Sequence, residues 1–215
     1  MKTTLNADPE KGTRNRDRTR NKILAAARDE FAEKGLGGAR VENVASRAGS
    51  NKRMLYYYFQ SKDDLFLAVL EDAYKSIRDA EGELNLLALP PIEAIRKLIA
   101  FTWQYFFHHP EFLTLLNSEN LHRARHLRSS GRVRSLNSPL IDTLHEILHR
   151  GQKQKLFRGG VDPLQLYISI AALSYFYLSN IHTLAAVFGR DLHGAKAQVE
   201  RVQHMTDMVL GYLLL

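Results

Sequence analysis

An all-α chain is predicted, with a small N-terminal three-helix head containing a helix-turn-helix and a larger helical C-terminal region. Three observations predict it. Apolar residues recur at three- and four-residue spacing through most of the 215 residues. No stretch alternates apolar and polar residues as a half-buried strand does. Glycine and proline fall between the periodic stretches, where helices stop and start. Hydrophobic residues make up 45% of the chain, enough for a sizeable core. There is no cysteine, which excludes disulfides, thiolate chemistry and Cys-ligated zinc. The N-terminal segment has no apolar centre of a secretory signal, and no run of roughly eighteen residues is purely apolar. A cytoplasmic protein with no membrane span is therefore expected.

Residues 1–16 are polar and are expected to form a disordered arm, in which Arg14 and Arg16 begin an alternation continued by Arg18 and Arg20. A first helix is read from about Asp17 to Lys34, with Ile23, Ala27 and Phe31 inward, ended by Gly35, Gly37 and Gly38. Val41, Val44, Ala45 and Ala48 give the second helix one apolar face. Gly49 then supplies a left-handed turn, and Asn51 can cap a third helix by accepting a hydrogen bond from its free N–H groups. That helix carries Lys52, Arg53, Met54, Tyr56 and Tyr57, with Leu55 and Phe59 inward. A short helix, a glycine turn and a second helix bearing cations and phenols form a helix-turn-helix, whose second helix is the one expected in a DNA major groove.

Ser61 and Asp64 stand at capping-box spacing and open a fourth helix, striped by Phe66, Val69, Leu70, Ala73 and Ile77 and fading near Gly82. Pro90-Pro91 opens a fifth and Pro110 a sixth, read through to Arg128. After a break near Gly131, a seventh is read from Ser138-Pro139 with Leu140, Ile141, Leu144, Ile147 and Leu148 as its apolar residues. Asp162-Pro163 starts an eighth, read to about Phe188 and apolar on nearly all faces, so that it must be buried or paired with another chain. A ninth runs from about Gly194 to the end. The domains expected are 1–16, 17–62 and 63–215.

Charge is unevenly placed. Residues 1–62 hold 14 Lys and Arg against 7 Asp and Glu, and the remainder holds 16 against 16, so the whole net charge of +7 lies with the helix-turn-helix. Lysine and arginine that neutralise phosphates supply most of the salt-dependent affinity for DNA.

The run RNKILAAARDEFAEKGLGGARVENVASRAGSNKRMLYYYFQSKDDLFLAVL resembles the DNA-binding domain of the TetR family of transcriptional regulators. The specific part is Ala45 through Gly49, Leu55-Tyr56-Tyr57-Tyr58-Phe59, Ser61-Lys62 and Leu65. The resemblance implies a homodimer whose C-terminal domain binds a small effector and dimerises through its last two long helices. It also implies that Lys52, Arg53 and Tyr56 approach bases or the groove, and that Tyr57, Tyr58 and Lys62 contact phosphates. Arg40 stands where the family often has a phosphate-binding Thr. Arg53 replaces the usual small residue and offers a bidentate fork to guanine. With Asn51, these residues are the candidate DNA-binding set.

The same resemblance predicts an effector cavity among helices five to eight. Its candidate residues are Trp103, Phe107, Phe112, Leu116, Asn120, Leu144, Ile168, Ala172, Tyr175, Ser179 and His182. Aromatic walls with a few polar tips lean toward an aromatic ligand. One motif points elsewhere. His145-Glu146-Ile147-Leu148-His149 matches H-E-x-x-H, in which two His bind zinc and the Glu activates water. No third ligand follows at zincin spacing, since the chain has Gln152 and Lys155 there. His122 and His126, a second pair four apart beside three Arg, read as a solvated basic face. No catalytic residue, metal or cofactor is expected. The expected function is a sequence-specific DNA-binding regulator, a dimeric repressor released from double-stranded operator DNA by a small molecule. The alternatives are a zinc-dependent hydrolase built on His145, Glu146 and His149, and a non-specific DNA-binding protein.

Overall fold

The computed structural model describes residues 9–215. The first eight residues of the expected arm lie outside that range. From Pro9 onward the chain is helical, so the first helix begins well before Asp17. Its early turns carry no apolar stripe, and periodicity gave no sign of them. In order the helices are α1 (Pro9–Gly38), α2 (Val41–Arg47), α3 (Lys52–Tyr58), α4 (Lys62–Gly82), α5 (Pro91–His108), α6 (Pro110–Leu121), α7 (Gly131–Lys153), α8 (Pro163–Ser179), α9 (Ile181–Phe188) and α10 (Ala195–Leu213). No strand is formed among the described residues; Phe157 and Leu214 make an isolated bridge.

The chain forms two compact units. One comprises the described residues up to Asp72 together with Thr114–Ser130, and the other comprises Ala73–Leu113 and Gly131–Leu215. The first half of α4 and the segment around α6 thus pack with the helix-turn-helix, although the sequence had assigned them to the larger domain. In this first unit Ile23, Ala27, Phe31, Leu55, Leu65 and Phe66 are fully buried. Phe31 meets Phe66 edge to face at 5.1 Å. Ser61 and Asp64 form the expected box: the Asp64 N–H donates to the Ser61 hydroxyl at 3.0 Å, and that hydroxyl donates to the Asp64 carboxylate at 2.7 Å.

Three expected elements come out differently. Helix α6 stops at Leu121 rather than Arg128. Arg123 and Ala124 turn left-handed (φ 56° and 55°), which wraps the chain around buried Glu119. Glu119 accepts hydrogen bonds from the His126 and Leu127 N–H groups, both at 2.9 Å, and faces His126 Nδ1 at 2.6 Å. His122 and His126 therefore do not form a solvated helical face, and His126 is buried. Helix α7 begins at Gly131, so Pro139 lies inside it and Ser138 is not its cap. The long eighth helix is two: α8 ends at Ser179, and α9 leaves at 66°. Among the described residues no single helix is long and apolar enough to cross a membrane.

The core of the second unit joins Ile95, Leu98, Ile99 and Trp103 of α5 to Leu144, Ile147 and Leu148 of α7, Leu166 and Ile170 of α8, and Met205, Val209 and Leu213 of α10. Gly151 is required by contact, because a Cβ there would stand 2.0 Å from the Phe157 ring. Asp162 caps α8, accepting from the Gln165 N–H at 3.0 Å. Outward from this core, Leu164, Ile168 and Phe176 of α8 and Val199, Met208 and Tyr212 of α10 are exposed.

Candidate nucleic-acid interface

Helix α3 is set by its cap and its two inward residues. The Asn51 side chain accepts from the Met54 N–H at 2.9 Å, satisfying one free donor of the first turn. Leu55 and Phe59 are buried, so Lys52, Arg53, Tyr56 and Tyr57 face solvent. Gly49 sits at φ +59° in the turn, with open space where a Cβ would stand, so backbone conformation alone calls for glycine.

Helix α2 is fixed from α1. Arg40 occupies its N-cap but gives no side-chain cap. Buried Glu30 supplies the missing acceptor: it takes hydrogen bonds from the Arg40 N–H at 3.2 Å and from Asn43 Nδ2 at 2.9 Å, with Arg47 Nη2 at 3.4 Å. Burial opposes the Glu30 charge, but these hydrogen bonds and Arg47 hold its carboxyl below the usual range. A negative charge at a helix N-terminus is also favoured by the helix dipole. Arg47 makes two further hydrogen bonds to Glu33, at 2.8 and 2.7 Å.

The outward cations differ in freedom. Lys52 donates to Glu42 of α2 at 2.6 Å and lies 6.0 Å from the Tyr56 ring centre. Arg53 is exposed and makes no ion pair among the described residues. Lys62 is half-buried, and its Nζ donates to the Ala39 carbonyl at 3.0 Å, tying the start of α4 to the approach to α2. Tyr57 packs edge to face on Tyr58 at 5.1 Å, which orients both phenols. Arg40 has an exposed side chain. All eight candidate residues belong to the first unit.

The eleven effector candidates are not gathered in the same way. Trp103 and Leu144 are fully buried core residues, and Phe107 stacks on Trp103 at 6.4 Å. Phe112 is buried among the rings of Tyr74, Tyr105 and Phe106. Tyr175 and Ser179 are half-buried, whereas Ile168, Ala172 and His182 are exposed. Leu116 and Asn120 belong to the first unit, and Asn120 is exposed. The inward residues of α8 are Leu166, Ile170 and Ser174; a helix apolar on all sides does not reveal which stripe faces in.

Two charged residues in the second unit were not singled out from the sequence. Arg78 and Glu81, one turn apart on α4, have side chains only 6% and 4% exposed. Ile77 closes the apolar stripe of α4, and Glu81 stands four residues further on that same face; an acid at that position was the available signal. Both line a cleft of about 400 Å³ with Leu86, Leu136, Leu140 and Thr143. The H-E-x-x-H residues His145, Glu146 and His149 are exposed on α7, and no group of three or more potential metal ligands occurs among the described residues.

Residues 23–69 match the family model for bacterial regulatory proteins of the tetR family, and residues 91–209 match a tetracyclin repressor-like C-terminal domain. The chain is 42% identical over 194 residues to the HTH-type transcriptional repressor NicS of Pseudomonas putida, covering 90% of this chain and 92% of that protein. It is 30% identical over 191 residues to the HTH-type transcriptional regulator RutR of Escherichia coli O157:H7, covering 85% and 86%. Among solved structures, SCO4942 of Streptomyces coelicolor superposes with a TM-score of 0.68 at 22% identity, over 91% of this chain and 98% of that one. AibR, solved in complex with isovaleryl coenzyme A and operator DNA, superposes with a TM-score of 0.65 at 17% identity, over 89% and 97%. At these identities the structural likeness is one of fold.

Proposed function

The chain belongs to the TetR family of bacterial transcriptional regulators, and from that membership we propose that it acts as a dimeric repressor released from a near-palindromic operator by a small-molecule effector. It is a regulator and not an enzyme. It works where the DNA is, in the cytoplasm. The observation that carries the reading is the α2–Gly49–α3 unit, rigidly capped by Asn51 and Glu30, with Lys52, Arg53, Tyr56 and Tyr57 outward. Arg53 reads base edges, because its guanidinium makes no ion pair among the described residues and projects from the second helix. Tyr56 shares the groove with it. Tyr57, Tyr58 and Arg40 hold the phosphates on either side. Lys52 first has to leave Glu42. Lys62 acts through the Ala39 carbonyl, positioning Arg40.

Dimerisation is supported by the outward apolar residues of α8 and α10, an exposed set that a lone chain would leave in water. Binding-site selection from random DNA tests the whole reading. The expected result is two inverted half-sites whose centres lie about 34–36 Å apart along the duplex. Unrelated recovered sequences, with equal affinity for random DNA once salt is raised, would favour a non-specific binder instead.

A further inference from the structure

Arg78 and Glu81 carry charge into a place where the fold makes little use of it. Arg78 Nη1 and Glu81 Oε2 lie 2.7 Å apart, but the geometry is not that of a hydrogen bond. Arg78 Nε and Nη1 and both Glu81 oxygens are buried without a hydrogen-bond partner. Among the described residues Arg78 keeps a single hydrogen bond, from Nη2 to the Tyr167 hydroxyl at 3.1 Å, and its guanidinium lies 5.4 Å from that ring's centre. Buried polar groups are almost always satisfied, and a buried ion pair is a poor source of stability compared with apolar residues of the same size. A pair with this many unused donors and acceptors is therefore arranged for something that arrives later.

The surroundings state what that is. The cleft that Arg78 and Glu81 line is walled by the apolar Leu86, Leu136, Pro139 and Leu140, with the hydroxyls of Ser135 and Thr143 beside them; Asp79 also lines it, its carboxylate paired with Lys75. Its volume of about 400 Å³ lies within the range of small-molecule sites. A guanidinium with free N–H groups matches a carboxylate. A carboxylate that meets only Arg78, through Oε2, and has no hydrogen bond on either oxygen matches an O–H or N–H donor. Another cleft of this unit, of about 510 Å³, opens on the outward apolar face with Phe176, Met208 and Tyr212. It also holds Arg201 and Asp162, but Arg201 Nη2 donates to the Leu173 carbonyl at 2.6 Å and Asp162 caps α8, so each of these charges already serves the fold.

We propose that the Arg78–Glu81 cleft is the effector site and that it takes a small organic acid, with its carboxylate on Arg78 and a hydroxyl or amino group donating to Glu81. This rests on the reading of the chain as an effector-released repressor. The apolar walls take the body of the acid, and the hydroxyls of Ser135 and Thr143 complete its polar edge.

The test uses the full chain and a panel of hydroxybenzoates, aminobenzoates and mandelate, each beside its neutral amide, followed by calorimetry and thermal shift in low-chloride buffer. At least one acid is expected to bind and raise the melting temperature, while its amide does not. Arg78→Met should weaken that acid at least tenfold. Leu136→Trp fills the cleft while leaving Arg78 and Glu81 unsubstituted and should abolish binding. It decides the matter if the arginine variant does not fold. Binding of acid and amide alike, unchanged binding in Leu136→Trp, or no binding by any acid at millimolar concentration would overturn the proposal. Operator selection on the same preparation separates the two failures. An operator recovered without an acid response removes only this site, whereas no operator removes the repressor reading beneath it.

Discussion

Burial pushes the Glu81 carboxyl from its usual 4.5 up to about 7, against the pull of Arg78, and this makes folding itself sensitive to pH. Between those two values the folded chain holds a proton that the unfolded chain has released. Stability should therefore fall as pH rises from about 4.5 to 7, by at most about 3 kcal/mol from this group. Urea unfolding of the native chain and of Glu81→Gln at pH 5 and pH 7.5 measures it. The variant should lose one proton's worth of the pH slope, and equal slopes would show that Glu81 does not titrate there. In the DNA-binding head, Arg53→Ala should relax preference for guanine at one position of each half-site, with a loss of about 1–3 kcal/mol of discrimination. A binding-site selection that returns the same bases for both proteins would remove Arg53 from the readout. The sequence singles out Arg53 because it departs from the family's small residue, and the structure adds that it is exposed on α3. The engagement of Lys52 by Glu42 was not legible in the sequence, since it depends on how α2 and α3 cross. Nor was the role of Glu30, ten residues before the N–H that it accepts.

Helix starts that carry a side-chain cap were legible, whereas those of α1 and α7 were not. Asn51, Ser61-Asp64 and Asp162-Pro163 each carry local chemistry that fixes a first turn, and each stands where that chemistry put it. The end of α6 has no such local cause. Its continuation, His122 to Arg128, contains no glycine or proline and includes good helix formers, so propensity favoured a longer helix. What stops it is tertiary: buried Glu119 collects the His126 and Leu127 N–H groups together with the His126 ring. Glu119→Ala would strand those buried donors and is expected to cost about 3 kcal/mol or more, given the worth of hydrogen bonds to a charged acceptor. A urea midpoint matching that of the parent would show that the turn holds itself. The break between α8 and α9 is similar. Asn180 ends one helix, and its carbonyl accepts from the Leu184 N–H and the Thr183 hydroxyl at the start of the next, a junction invisible to hydropathy in a run that is apolar on both sides.

Net charge and apolar surface sit on different parts of the chain, and together they make a quantitative demand on DNA binding. The excess of +7 belongs to residues 1–62, while the remainder is balanced. Each phosphate neutralised contributes about −0.9 to the slope of log affinity against log salt. The apolar residues that would join two chains, Ile168 and Phe176 of α8 with Met208 and Tyr212 of α10, lie in the balanced part, and changing them leaves each head's own phosphate contacts in place. A paired double substitution, Ile168→Asp with Phe176→Asp, should therefore give a folded monomer by sedimentation. Each monomer brings one head to one half-site, so its salt slope on a half-site duplex should be about half that of the native dimer on the full operator. A native slope retained by a true monomer would mean that one head makes all the phosphate contacts, and a variant that stays dimeric would place the interface away from this face.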